Sequence, residues 1–249
     1  MTPLVMLLLI LLMVATSFLS GVFGMAGGMI LVGVLLAIMP VPIAMVLHAV
    51  TQMASNGWRG LLWRRHVRWV AVGAYVVGCL VALLAWSLAR YVPGKPVALI
   101  LLGVTPFLVH LVPSNLRPNA ESIGQGIVYG AICMTLMLLT GVAGPLIDTF
   151  FLGGKLERRE IVATKAMCQI VGHSVKLAYF GGIIDQAAAL DPALAVGAIL
   201  ASVIGTTLAK RFLEAMTEKQ YRMWASRLIA VIASYYVVYG ASLLVVTRG

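Results

Sequence analysis

The chain has 249 residues, of which 61% are apolar and 10% are charged, and its mean hydropathy is +1.02. A soluble domain of this size cannot bury so much apolar surface, whereas a lipid bilayer can cover it, so a soluble globular protein is excluded. The net charge of +10 does not indicate a nucleic-acid partner, because the basic residues cluster in short loops between apolar segments, as the positive-inside rule expects. We therefore predict an all-α, polytopic membrane protein.

The first half of the chain predicts four long spans and one short helix. No Lys or Arg occurs before Arg59, so residues 3–22 are expected to be a retained span rather than a cleaved signal peptide. A glycine-rich break, Gly24-Met-Ala-Gly-Gly28, precedes a short apolar piece at 28–39. A helix of that length rises only about 18 Å and cannot cross a bilayer alone. Further long spans are predicted at 42–63, 68–90 and 95–113.

The second half repeats this order at a constant offset of 117 residues. Gly24, Ala26 and Gly27 recur as Gly141, Ala143 and Gly144. A second break, Gly141-Val-Ala-Gly-Pro145, precedes a short piece at 145–153. Long spans are predicted at 120–141, 158–180, 190–211 and 219–246. We therefore predict one integral membrane domain of two repeats, 1–117 and 118–249, with about eight long transmembrane helices and two half-helices.

The loop charges predict that the two repeats have inverted topology. The loop Arg64-Arg65-His66-Val67-Arg68 is strongly basic, so we expect it in the cytoplasm. Its counterpart at 181–185, Gly-Gly-Ile-Ile-Asp, has no basic residue and is expected outside. Opposite charge at equivalent positions is typical of inverted repeats. Both termini then lie on the external, periplasmic face of a bacterial inner (plasma) membrane.

The two breaks predict a binding region at membrane depth. Non-helical backbone inside a bilayer is tolerated only where protein or a water-filled cavity surrounds it. A helix that starts there directs unsatisfied N–H groups toward anions. The alternative is close helix packing, for which membrane bundles also use small residues. Recurrence of the break in both halves favours a site, with Gly27, Gly28 and Gly144 as substrate-binding residues.

Each half also carries a stripe of polar residues on one predicted helix. Their spacing of 4, 4 and 3 residues places the members of each stripe on one helix face. Polar groups inside a span are costly and usually face an interior pathway. Cationic and amide donors together suit an oxyanion. The first stripe is His48, Gln52, Asn56 and Arg59, and the second is Lys165, Gln169, His173 and Lys176, with Thr164 and Ser174 alongside.

From these stripes, the predicted substrate-binding side chains are His48, Gln52, Asn56, Thr164, Lys165, Gln169, His173 and Lys176. Two points stay open. Arg59 and Lys176 either line the pathway or snorkel to a membrane interface. Asp148, in the second short helix, either pairs with Lys165 or takes part in proton coupling.

The three cysteines do not predict a reactive site. Cys79, Cys133 and Cys168 all lie in apolar stretches, without CxxC spacing or a paired arrangement. Isolated cysteines of this kind behave as small core residues. We predict no metal site and no cofactor.

Two segments resemble the sulfite exporter TauE/SafE family of membrane permeases. They are Gly24-Met-Ala-Gly-Gly-Met-Ile-Leu31 and Ala163-Thr-Lys-Ala-Met-Cys-Gln-Ile-Val-Gly-His-Ser-Val-Lys-Leu177. The two-repeat layout is also similar, so the resemblance covers nearly the whole chain. It implies a permease for sulfur-containing anions such as sulfite, sulfonates and thiosulfate. His48 departs from the family, which often has a small hydroxyl residue there, and the second break has fewer glycines.

These observations predict a secondary transporter, not an enzyme, that exports a small sulfur-containing anion by alternating access between the repeats. No nucleotide-binding loop is present, so an ion gradient or the gradient of the anion would supply the energy. One alternative is an anion channel made from the same parts. Another is a metal-ion carrier or intramembrane enzyme that uses His48 and His173, although no HExxH or GxSxG pattern occurs. The oligomeric state stays open.

Overall fold

A computed structural model describes residues 2–23, 26–110, 119–152, 156–185 and 190–246, and within these ranges the protein is all-helical. The helices follow the predicted segments to within a few residues. A short 3₁₀ turn, Arg64–His66, follows the third helix, and the eighth continues into a π-helical segment, Ala178–Ile183. In chain order the helices are α1 (Pro3–Phe23), α2 (Ala26–Ile38), α3 (Val41–Leu62), α4 (Trp69–Ala89), α5 (Lys95–His110), α6 (Ile123–Thr140), α7 (Gly144–Leu152), α8 (Arg158–Leu177), α9 (Pro192–Ala215) and α10 (Glu218–Val246).

Five of the described helices are long and apolar enough to cross a bilayer: α1, α4, α6, α9 and α10. Their outer faces expose large apolar side chains such as Leu84 and Val238, as expected for surfaces in contact with lipid. α3 and α8 are also long, with 22 and 20 residues. Their polar stripes lower their hydropathy, so length and composition alone do not identify them as spans. A multi-pass membrane protein is confirmed, and the number of eight spans stays a prediction.

The two halves pack against each other through reciprocal helix contacts. α1 packs on α9 as α6 packs on α4, and α3 contacts α9 as α8 contacts α4. α3 and α8 contact each other, as do α5 and α10. If α1 corresponds to α6, α2 to α7 and so on to α5 and α10, exchanging the two halves leaves this set of contacts unchanged. This pattern is the one expected of repeats related by a pseudo-two-fold axis, and their inverted orientation stays a prediction.

Glycine residues allow the close approach of α4 and α6. A Cβ atom on Gly78 would clash with the backbone of Ile127, and one on Gly130 would clash with the backbone of Tyr75. Small residues at such crossings are common in membrane bundles, where packing rather than hydrophobicity holds helices together. This contact fixes the position of Tyr75 on the inner side of α4.

Candidate functional site

The second break is a left-handed turn between α6 and α7. Gly141 has φ = +87°, a conformation that glycine adopts at little cost, and its N–H donates to the carbonyl of Met137 at 2.9 Å. Gly144 is buried and begins α7 three residues later. A Cβ atom on Gly141 would lie 2.6 Å from Cγ2 of Val32 and 3.0 Å from Sδ of Met45. The break in the second half therefore lies against helices of the first half.

The first break is described from Ala26 onward, and Gly24 lies outside the described residues. Gly27 packs so closely on α1 that a Cβ atom would clash with the carbonyl oxygen of Thr16. Close packing therefore accounts for glycine at this position, and a role of Gly27 in binding stays a prediction. Gly28 instead faces α3, where a Cβ atom would lie 3.4 Å from the amide of Gln52.

His48 and Lys176 connect the two breaks. His48 Nε2 lies 3.0 Å from the carbonyl oxygen of Gly28, and its Nδ1 lies 2.7 Å from Lys176 Nζ. Lys176 Nζ also donates to the carbonyl of Gly141 at 2.9 Å. Because a carbonyl only accepts, the proton of the neutral His48 ring is on Nε2, and Nδ1 accepts from Lys176. A continuous chain of hydrogen bonds therefore runs from Gly28 to Gly141.

Lys176 does not snorkel to an interface, because its side chain is 0% exposed. The salt bridges among the described residues do not include it, so no described carboxylate neutralises it. A lysine ammonium has three donors, of which two go to His48 and Gly141. Burying a charge without a counter-ion is costly. The surroundings of Lys176 are therefore suited to an anion.

Two further buried side chains have nitrogen atoms without a partner among the described residues. They are Nδ1 of His173, which is 3% exposed, and Nε2 of Gln52, which is 6% exposed. The His173 ring lies edge-on to His48, with 5.5 Å between the ring centroids. Buried polar groups are nearly always paired, so a ligand or a water molecule is expected to bind to these two nitrogen atoms. We call His48, Gln52, His173 and Lys176 the central cluster.

Lys165 forms an ion pair with Asp148 of α7. The side chains are 16% and 30% exposed, respectively. Of the two alternatives for Asp148, pairing with Lys165 is observed, and proton coupling stays untested. Because the acid neutralises it, Lys165 adds little net charge to the site. Gln169, one turn further along α8, is half-buried, and its role in binding stays a prediction, as does that of Lys165.

Two other predicted residues, Thr164 and Asn56, make hydrogen bonds within the protein. Thr164 accepts a hydrogen bond from the backbone N–H of Arg68 at 3.0 Å, which ties α8 to the start of α4. Asn56 donates to the carbonyl of Gln52 at 2.9 Å and accepts from Arg59 at 2.7 Å. Arg59 also reaches the carbonyl of Ser20 at 3.4 Å. Both predicted residues make contacts within the protein, and their binding of substrate stays a prediction.

Tyr75 lies beside this site and was not predicted from the sequence. It is fully buried on α4, and its hydroxyl has no oxygen or nitrogen partner among the described residues, only the thiols of Cys79 and Cys133 beside it. A Cβ atom on Gly172 would lie 3.5 Å from that hydroxyl oxygen, so the oxygen borders α8. In the sequence Tyr75 is an ordinary aromatic residue of an apolar span. No signal marks it, because its position depends on how α4 packs on α8.

The side chains of the central cluster are all buried among the described residues. His48 and Lys176 are fully buried, and so is Gly144 at the start of α7. A cavity of about 340 Å³ lies apart from the cluster at the start of α4, where Arg68 and Glu121 are among its lining residues. The described residues contain no group of three or more His, Cys, Asp or Glu side chains placed to hold a metal ion.

Comparison with protein families identifies one match over nearly the whole chain. The family model described as "Sulfite exporter TauE/SafE" matches residues 8–236, from within α1 to within α10. The matched region includes both breaks and both polar stripes. Comparison with curated proteins and with solved structures gives no match. Because the family match extends through both repeats, the chain belongs to the sulfite exporter TauE/SafE family.

Proposed function

We propose that the protein is a secondary transporter that exports a small sulfur-containing anion, such as sulfite, thiosulfate or a sulfonate, across a bacterial inner membrane. Membership of the family implies a membrane transporter of sulfur-containing anions rather than an enzyme. Five apolar helices support its place in the membrane. The central cluster supports the more specific proposal, that an oxyanion binds between α3 and α8.

The observation that carries the proposal is the burial of Lys176 without an acid partner. An anion at this point would supply the counter-charge, and hydrogen bonds between charged groups are stronger than those between neutral ones. Gln52 Nε2 would donate to the anion, and so would His173 Nδ1 in the tautomer with its proton there. The positive ends of α2 and α7, at Gly28 and Gly144, add favourable charge.

Two features support alternating access as the mechanism. The central cluster lies where α3 of one repeat contacts α8 of the other, so relative movement of the repeats would open it. Its lysine and its two histidines are at most 3% exposed, as expected of an occluded site. With inverted repeats, the same movement run in reverse would open the site to the opposite face.

Replacing Lys176 tests the proposal in proteoliposomes loaded with sulfite, thiosulfate, a sulfonate, sulfate or chloride. We expect Lys176→Met to bind the transported anion about 10- to 100-fold more weakly, because a charge-assisted hydrogen bond is lost, and flux to fall accordingly. The matched control is Lys219→Met, an exposed lysine of α10. Wild-type flux through a folded Lys176→Met protein would contradict the site. Conductance far above transporter turnover would indicate a channel.

A further inference from the structure

The hydroxyl of Tyr75 is a buried donor without an oxygen or nitrogen partner among the described residues, and its polar neighbours are the thiols of Cys79 and Cys133. The thiol of Cys79, one helical turn along α4, is a weak acceptor, and its own proton goes to the carbonyl of Gly130 at 3.6 Å. Leaving a buried hydroxyl unpaired destabilises a folded protein, so such groups are rare. A phenylalanine would fill the same space without that penalty.

The Tyr75 hydroxyl lies beside α8 at Gly172, next to the side chain of Met137 from α6. A Cβ atom there would lie 3.5 Å from Tyr75 Oη. Successive residues of an α-helix turn by about 100°, so Gly172 and Lys176 lie about 40° apart around the helix axis. They are one turn apart along it, about 6 Å. The Tyr75 hydroxyl and the Lys176 ammonium therefore border one face of α8.

The other edge of this face is bordered by α3. His173 contacts the ring of His48, and Ser174 Oγ lies 3.8 Å from the sulfur of Met53. α4 packs on the opposite edge of α8, where Gly172 lies. The polar face thus lies between two helices, of which α3 contributes Gln52 and α4 contributes Tyr75.

We propose that Tyr75 donates a hydrogen bond to an oxygen atom of the transported oxyanion, from the side opposite Gln52. This inference rests on the proposed function and adds α4, after α3 and α8, as a third helix that lines the substrate site. A phenol hydroxyl would give the site a directional hydrogen-bond donor without adding charge. An anion with several oxygen atoms can accept from α3, α4 and α8 at once, whereas a halide is a single atom. Tyr75 therefore contributes more to the binding of oxyanions than to the binding of chloride.

The test compares Tyr75→Phe with the wild-type chain in detergent, without anion and in titrations with sulfite, thiosulfate and chloride. Without anion, the melting temperature is expected to equal or exceed that of the wild type, because the unpaired hydroxyl is gone. The dissociation constant for the oxyanion that wild type binds is expected to rise about tenfold, with a smaller change for chloride.

Tyr179→Phe is the matched control, because its buried hydroxyl already donates to the carbonyl of Tyr91 at 2.7 Å. It should melt lower and bind the anion as wild type does. An unchanged dissociation constant in Tyr75→Phe overturns the inference and leaves the proposed function standing. A clear fall in its anion-free melting temperature also overturns it, since the hydroxyl then has a protein partner. If wild type binds none of the anions, the proposed function fails as well.

Discussion

The two lysines of α8 have different partners, and this separates their roles. Lys165 is paired with Asp148 and is partly exposed, whereas Lys176 is fully buried and bonded only to neutral acceptors. A paired lysine stabilises the contact between α7 and α8. An unpaired buried lysine is stabilised by an anion. We therefore propose that Lys176, rather than Lys165, supplies the positive charge for substrate binding.

Removal of the acid tests the structural role of the first pair. Asp148→Asn is expected to lower the free energy of unfolding by about 1–2 kcal/mol, between the values for exposed and buried pairs. Adding Lys165→Gln to Asp148→Asn should cost little more, because the unpaired charge is then removed. The measurement is a double-mutant cycle by unfolding in detergent. Strictly additive losses would show that the two side chains do not stabilise each other.

Helix geometry alone predicted which polar residues share a face, because the spacing of 4, 4 and 3 residues fixes their direction. It left their partners open: the pair of Lys165 with Asp148 was one of two alternatives, and the bonds of Lys176 to His48 and Gly141 were not predicted. The pairing of Lys165 depends on where α7 lies, and α7 is separated from α8 in the sequence. The position of the Tyr75 hydroxyl beside Gly172 depends on how α4 packs on α8. Contacts of this kind arise from tertiary packing, which a single sequence does not display.

At the scale of elements, the break before α7 depends on one backbone conformation. Gly141→Ala is expected to lower the free energy of unfolding by about 1–2 kcal/mol, because an alanine is strained at the positive φ angle of this residue. The added methyl group would also lie 2.6 Å from Val32. Anion flux should fall as well, because the Gly141 carbonyl accepts a hydrogen bond from Lys176. Unfolding and flux assays of the same protein measure both effects.

Gly73→Ala is the matched control within α4, where an added Cβ atom meets nothing within 4 Å. It is expected to raise stability by about 0.5–1 kcal/mol, because alanine favours helix over glycine. Equal stability losses in the two variants would contradict a special role for the Gly141 turn.

The helix bounds were predictable because apolar length and the glycine-rich breaks determine them locally. The half-helices α2 and α7 begin within two residues of the predicted starts. The π-helical segment at Ala178–Ile183 was not predicted, since its hydrogen bonds differ from those of an α-helix by one residue and leave no mark in hydropathy. Local patterns define the elements, and the contacts between them come from the whole chain.

At the scale of the whole molecule, the reciprocal contacts support two repeats, and labelling tests whether they are inverted. Arg65→Cys lies in the basic loop, and Gly182→Cys lies in its counterpart after α8. A membrane-impermeant thiol reagent is expected to reach Gly182→Cys from outside intact cells and Arg65→Cys only in inside-out vesicles. The three native cysteines are buried and give little background. Gly94→Cys, in the loop between α4 and α5, is the control, because one crossing by α4 would place it on the face opposite the basic loop. Labelling of all three from one face would contradict inversion.

The reciprocal packing also bears on ancestry. α1 is covered by α9, α4 by α6 and α5 by α10, so each half buries its helices largely against the other. The hydroxyl of Tyr236 in the second half even donates to the carbonyl of Met29 at the start of the first half-helix. A chain of half this length could cover the same faces only with a second copy of itself. If the two halves are inverted repeats that arose by duplication, a half-length ancestor had to enter the membrane in both orientations, and fusion of two copies would have removed the need for dual insertion.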